Sequence, residues 1–225
     1  MKKNKIFIAV DTDNISKAKK IIRETQTYKM KVGFKFGLQM LYSPRGRSFI
    51  SSIKNKTTFI DVKLNDIEST MIAAIRSLKD LKINYLTVHI NSGGVKILKR
   101  VKKAAGKIKI AAVSVLTSHN NQIIKEIGHT KSVKKLVVHQ AKLAAKANLD
   151  ALVCSAREVK DVRKFFKKEI ITPGIRFNSN MNDQKRVVTP KQAFKNGSDW
   201  LVIGRPITKG NIKNNLIKLI NHLGK

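Results

Sequence analysis

Short apolar runs rich in β-branched residues alternate along the chain with longer stretches whose apolar positions recur every three or four residues. Runs of the first kind are KIFIAV (5–10), MKVGF (30–34), TTFIDVKL (57–64), NYLTVHI (84–90), KIAAVSVL (109–116), DALVCS (150–155), EIITPG (169–174) and DWLVIGR (199–205). They predict strands. The intervening stretches predict helices near 15–25, 37–53, 67–81, 94–105, 134–147, 156–167, 190–196 and 211–223. IKNNLIKLINHL, for example, places apolar residues on one helical face. Strands that alternate with helices of this length form βαβ units and a parallel sheet. Eight such pairs within 225 residues predict an α/β chain folded as a (β/α)8 TIM barrel, one domain spanning 1–225. A doubly wound open sheet is the rival, but VDTDN after the first strand lacks the glycine-rich turn usual there. No Pro-, Gly- or Ser-rich linker and no internal repeat interrupts the pattern.

Polar residues break the pattern where the strands end, which is where a barrel carries its functional groups. The first strand ends in Asp11, the second carries Lys31, the third carries Asp61 and Lys63, and Asp66 follows. Asp61 and Lys63 are two apart and share one side of the strand, while Ile60, Val62 and Leu64 take the other. The charges therefore face the barrel interior near its mouth. A buried charge is costly unless paired, and a lysine between carboxylates supplies the pairing. The bland alternative is an ion pair that merely holds a loop. Further strand ends offer His89, then Ser114, Thr117 and Ser118, then TPGIR (172–176) and IGRPIT (203–208). Phosphate often sits on the loops after strands 7 and 8 of a barrel. Gly174 and Gly204 allow backbone N–H groups to approach an anion, and Arg176 and Arg205 offer bidentate donors. FNSNMNDQKRVVTP (177–190) is polar and aperiodic, as suits a lid or a plain loop.

Composition adds less. The formal charge of +33 points first to a nucleic-acid partner. Lysine outnumbers arginine 37 to 10, the lysines are spread over the whole chain, and aromatic residues are only 6%. Those features favour a solvated basic surface over a dedicated nucleic-acid face, and no specific nucleic-acid partner is expected. No apolar run is long enough to span a membrane, and the apolar stretch near the N-terminus is too short for a secretory h-region. The single cysteine, Cys154, excludes an internal disulfide and reads as a buried apolar residue. A cytoplasmic location is expected.

Taken together, these motifs resemble the orotidine 5′-phosphate decarboxylase family. The family pattern D-x-K-x-x-D-I-x-x-T is matched by Asp61, Lys63, Asp66, Ile67 and Thr70, and A-[LV]-D by Ala9, Val10 and Asp11. K-V-G is matched by Lys31, Val32 and Gly33, V-x-V-L-T-S by Val113 to Ser118, and V-C-S-A by Val153 to Ala156. T-P-G-I-R is matched by Thr172 to Arg176, D-Q-x-R-[IV]-x-T-P by Asp183 to Pro190, and V-I-G-R-P-I-T by Val202 to Thr208. The motifs run in the family's order along nearly the whole chain. Glu68 and Ser69 stand where the family commonly has Pro and Asn, Asn65 where His is frequent, and His89-Ile90-Asn91 where H-A-S is common.

The resemblance implies conversion of orotidine 5′-monophosphate to uridine 5′-monophosphate and CO2 in pyrimidine biosynthesis, with no cofactor and no metal. It implies that Lys63 stabilises the carbanion at C6 and protonates it. Asp61 would lie near the substrate carboxylate, and Asp66 and Lys31 would complete an alternating Lys–Asp–Lys–Asp array. It further implies that Asp11 and Lys31 contact the ribose, Thr117 the pyrimidine, and Gln184, Gly204 and Arg205 the phosphate, with Pro173 and Arg176 nearby. Asp66 and Thr70 would be given to the neighbouring subunit's site, which makes a homodimer. Two other readings stay open. One is a Mg2+-dependent sugar-phosphate decarboxylase or lyase of the same barrel superfamily. The other is a polyanion- or RNA-binding barrel in which Lys63 is only structural.

Overall fold

Eight parallel strands close on themselves in chain order. They are β1 (Lys5–Ala9), β2 (Lys31–Gly37), β3 (Thr57–Leu64), β4 (Tyr85–His89), β5 (Lys109–Val113), β6 (Ala151–Val153), β7 (Glu169–Thr172) and β8 (Trp200–Ile203). The structure is a computed structural model that describes residues 4–177 and 188–224. Helices α1 (Ile15–Glu24), α2 (Leu38–Leu41), α3 (Gly46–Ser52), α4 (Glu68–Ser77), α5 (Val95–Ala105), α6 (Asn121–Glu126), α7 (Val133–Lys146), α8 (Val159–Arg163), α9 (Pro190–Lys195), α10 (Arg205–Thr208) and α11 (Ile212–Gly224) fill the connections. This is the expected (β/α)8 barrel.

Both faces of the strands are apolar because each meets a different core. The outer face, with Ile6, Ile8, Val10, Phe34, Phe36, Ile60 and Leu86, packs on the helices. Val62 and Leu64 join that outer layer, as the alternation along β3 required. The inner face holds Phe7, Phe59, Tyr85, Ile171 and Trp200, which plug the barrel axis. Phe7 stacks on Trp200 with ring centroids 4.1 Å apart. Below them Glu169 closes the N-terminal end. It accepts from Tyr85 Oη at 2.7 Å and Trp200 Nε1 at 3.3 Å, and pairs with Lys109 at 3.0 Å and Lys5 at 3.5 Å. Gly33 is required beside this plug, since a Cβ there would lie 2.7 Å from the Phe7 ring and 2.8 Å from the Thr57 carbonyl.

The helices begin where the side chains allow it. Asn14 accepts from Lys17 N at 2.9 Å to cap α1, and Thr189 with Pro190 starts α9. Several stretches differ from the sequence expectation, the unexpected α10 among them. The helix expected over 37–53 is split into α2 and α3, because Pro44 lacks an N–H and disfavours helical backbone at Ser43. A short α6 stands where no helix was expected. β2 runs to Gly37 rather than ending at 34, and that extension changes the reading of the site.

Trp200 is 1% exposed and anchors the inner plug through both its ring and its N–H. Trp200→Ala is expected to destabilise the fold by about 3–5 kcal/mol, measured by denaturant unfolding.

Candidate active site

At the C-terminal ends of the strands a cavity of about 340 Å³ opens above the aromatic plug. Its lining combines a charged wall and an anion-friendly wall. Ala9, Asp11, Lys35, Asp61, Lys63 and Thr87 come from β1 to β4 and the residues just after them. Thr117 and Ser118 follow β5, and Pro173, Gly174, Arg176, Gly204 and Arg205 follow β7 and β8. The strand ends therefore gather residues spread over most of the chain.

The charged wall is a continuous chain of alternating sign. Asp61 Oδ1 accepts from Lys63 Nζ at 2.9 Å, and Asp61 Oδ2 lies 3.2 Å from Lys35 Nζ. Lys35 Nζ in turn lies 3.3 Å from Asp11 Oδ1. The order is Asp11–Lys35–Asp61–Lys63. The side chains of Lys35 and Asp61 are 11% and 15% exposed, so little water screens this pair. Burial pushes the Asp61 carboxyl up, but Lys35 and Lys63 outweigh it and hold the group below its usual value of 3.8. Burial, then Lys63 and His119, hold the His89 imidazole below its usual value of 6.5. His89 is therefore neutral at neutral pH and adds no second cation beside Lys63.

Lys63 sits in an unusual backbone setting. Its φ is +51°, in the left-handed region that non-glycine residues rarely adopt, at a cost on the order of 1 kcal/mol. The β3–β4 pairing shifts there, from Ile60↔Leu86 to Leu64↔Val88, so β3 carries two extra residues. This bulge takes the Lys63 N–H out of the ladder. The N–H donates to Thr87 Oγ1 at 2.8 Å, and that hydroxyl lies 3.1 Å from Asp61 Oδ1. Bulges of this kind re-aim side chains near sites.

Lys31 requires a correction. It is the first residue of β2, is exposed, and pairs in register with Lys5 at the N-terminal end of the barrel. Its ammonium lies 5.7 Å from the Trp200 ring centroid, on the far side of the plug from the cavity. Four residues of strand, about 13 Å of rise, separate it from Lys35. Lys35 occupies the place expected for Lys31 because the K-x-G pattern recurs at Lys35-Phe36-Gly37 and β2 is longer than its apolar run suggested. The second K-x-G was the signal that would have found it. Asp66 and Thr70 are also absent from the cavity wall of their own chain: both are exposed, and Asp66 Oδ1 accepts from the neighbouring Ile67 N at 2.7 Å. Asp11, Thr117, Pro173, Arg176, Gly204 and Arg205 do line it. Gln184 lies outside the described residues. The flanks of its segment meet in a bridge between Ile175 and Val188, where Arg176 N donates to Val188 O at 3.4 Å.

Residues 4–215 match the model of the orotidine 5′-phosphate decarboxylase / HUMPS family. The chain belongs to this family. It is an enzyme. The orotidine 5′-phosphate decarboxylase of Wolbachia sp. subsp. Brugia malayi is 41% identical over 224 residues, covering 96% of this chain and 97% of the relative. That of Ehrlichia chaffeensis is 37% identical, covering 91% and 90%. Among solved structures, the orotidine 5′-phosphate decarboxylase from Lactobacillus acidophilus superposes with a TM-score of 0.83 at 27% identity, over 99% of this chain and 100% of that one.

The Asp61 shift fixes the sign of a pH effect. A carboxyl held below its unfolded value contributes stability above about pH 4, and that contribution is lost as pH falls through the folded value. The stability difference between the wild type and Asp61→Asn is therefore expected to be constant from pH 7 to about 5 and to change as acid protonates Asp61. Urea unfolding at stepped pH measures it.

Proposed function

We propose that the enzyme is a carboxy-lyase that decarboxylates orotidine 5′-monophosphate to uridine 5′-monophosphate. The observation that carries this reading is the Lys63 ammonium, bonded to Asp61 at 2.9 Å and facing the cavity next to a second, buried Lys–Asp pair. The relatives that share 37–41% identity over more than nine-tenths of the chain carry the name of that activity. The reaction places it in pyrimidine biosynthesis, as an enzyme of the cytoplasm.

The chemistry follows from fixed charge. The bond from C6 to the carboxylate breaks, CO2 leaves, and the electron pair stays on C6. Lys63 stabilises that pair as an ammonium and then transfers a proton to it, which gives the C6–H of the product. Lys63 regains its proton from water. Asp61 would lie beside the leaving carboxylate, and Lys35, paired in turn with Asp11, holds Asp61 in place and keeps the wall's charges alternating. Such preorganised charges need no reorganisation when the carbanion forms. The role earlier expected of Lys31 passes to Lys35, including contact with the ribose together with Asp11.

On the β7–β8 side of the cavity, Arg176, Arg205 and the backbone at Gly174 and Gly204 suit a phosphate. Gly174 has a φ of +76°, and a Cβ at Gly204 would stand 3.4 Å from Ala9 and 3.5 Å from Asp11 Oδ2. Thr117 and Pro173 also line the cavity, where Thr117 would bond the pyrimidine and Pro173 would flank the phosphate. Gln184 would close the phosphate end. Phosphate binding is remote from the bond that breaks, and its energy supports orientation of the reacting carbon.

The active form is proposed to be a homodimer. Asp66 and Thr70 are exposed beside Ile67, which is 69% exposed, and α2, which follows the adjacent strand β2, and its C-cap present Leu38 and Tyr42, 50% and 77% exposed. A second copy covering this edge would receive Asp66 and Thr70 at its own cavity and bury those apolar side chains.

The reading is tested by following the loss of orotidine 5′-monophosphate absorbance with EDTA present. Turnover that survives EDTA is expected; turnover that requires Mg2+ would favour the Mg2+-dependent sugar-phosphate reading instead. Lys63→Ala is expected to abolish turnover while a uridine monophosphate analogue still binds. Lys35→Ala is expected to lower kcat/KM at least a hundredfold and Lys31→Ala less than threefold, on the order seen for groups inside and outside a charged site. Equal losses in the two variants would remove the assignment to Lys35.

A further inference from the structure

We propose that the hydroxyl of Thr87 is a positioning residue that sets the aim of Lys63. This rests on the reading of Lys63 as the proton donor. Thr87 is 1% exposed, sits on β4 below His89, and is the side chain that spans the break in the β3–β4 ladder. Where the ladder lapses, backbone N–H groups need another acceptor. The Lys63 N–H finds it in Thr87 Oγ1 at 2.8 Å.

That single contact fixes the direction of the hydroxyl. A threonine hydroxyl has one proton to give. Its oxygen accepts from Lys63 N, and a carboxylate beside it accepts only, so the proton goes to Asp61 Oδ1 at 3.1 Å. Lys63 Nζ bonds that same oxygen at 2.9 Å. One hydroxyl therefore ties the backbone of Lys63 to the carboxylate that holds its ammonium. The left-handed backbone at Lys63, with φ of +51°, is unfavourable for a lysine, and the Thr87 bond holds it there. Without the hydroxyl, the Lys63 N–H loses its acceptor and Asp61 loses a donor. The lysine is then free to relax toward an ordinary strand conformation, which turns its side chain to another direction.

Valine matches threonine in shape but lacks the hydroxyl, and serine keeps the hydroxyl without the methyl. Thr87→Val is expected to lower kcat at least tenfold, with KM for orotidine 5′-monophosphate changed less than about threefold, since aim is lost and phosphate binding is not. Thr87→Ser is expected to recover most of that kcat even if it melts at a lower temperature than the wild type. Thr87→Ala serves if the valine variant does not fold. Crystal structures of the same variants give a readout that needs no turnover. The Lys63–Asp61 contact and the left-handed backbone are expected to be lost in the valine or alanine variant and kept in the serine variant. Wild-type kcat in Thr87→Val, or an unmoved Lys63 in its crystal structure, would overturn the proposal. A wild-type protein inactive on orotidine 5′-monophosphate, with Lys63 displaced only in the variants lacking the hydroxyl, would instead overturn the proposed function and leave the positioning role standing.

Discussion

The sharing of one carboxylate between two lysines governs the rest of the site. Asp61 has one oxygen on Lys63 and the other on Lys35, and without it two ammonium groups would face each other in a half-buried cavity. Like charges so placed would repel each other with little water to screen them. Asp11 extends the compensation to the far side of Lys35. The fold supplies the conditions for this array. The aromatic plug of Phe7, Phe59, Tyr85 and Trp200 forms a dry floor below it, and the outer strand faces fix the register that points Asp61 and Lys35 inward. A bulge in β3 then turns Lys63 toward Asp61 at the cost of an unfavourable backbone angle.

Much of this was legible in the alternation of the chain. Strand and helix order predicted the barrel, and the parity of Ile60, Val62 and Leu64 against Asp61 and Lys63 predicted which face of β3 carries charge. The misplaced residue was Lys31. It has the same parity as Lys35 and matches the same short motif, and only the length of β2 separates them. Charged and aromatic residues inside a barrel occur at both ends, so parity alone cannot say which end a lysine reaches. Lys5, Lys31 and Lys109 serve the base, where Glu169 is the acid between them, and Lys35 and Lys63 serve the mouth. The role of Thr87 was not legible, because a threonine inside a strand looks like any β-branched residue until the partner strand bulges away from it. The split of 37–53 into α2 and α3 had a plain signal in Pro44.

The +33 charge remains a property of the surface. The acids are few, and those near the strand starts are paired: Asp80 with Arg47, Asp150 with Lys102, Asp199 with Arg163 and Glu169 with Lys5 and Lys109. Within the cavity the balance differs, with Asp11 and Asp61 set against Lys35 and Lys63. A long-range positive field draws a phosphorylated anion toward the molecule, while the Asp–Lys wall is locally balanced and Arg176 and Arg205 keep the rest of the cavity positive. The lysines of that wall are thus distinct from the many that make the surface field.

The central claim is that Lys63 exchanges a proton with C6 of the nucleotide. The same transfer must run in reverse on the product, so in D2O the enzyme should replace the C6 hydrogen of uridine 5′-monophosphate with deuterium, as read by proton NMR. The account predicts exchange with the wild type and none above background with Lys63→Ala. Exchange at the wild-type rate in that variant would contradict it.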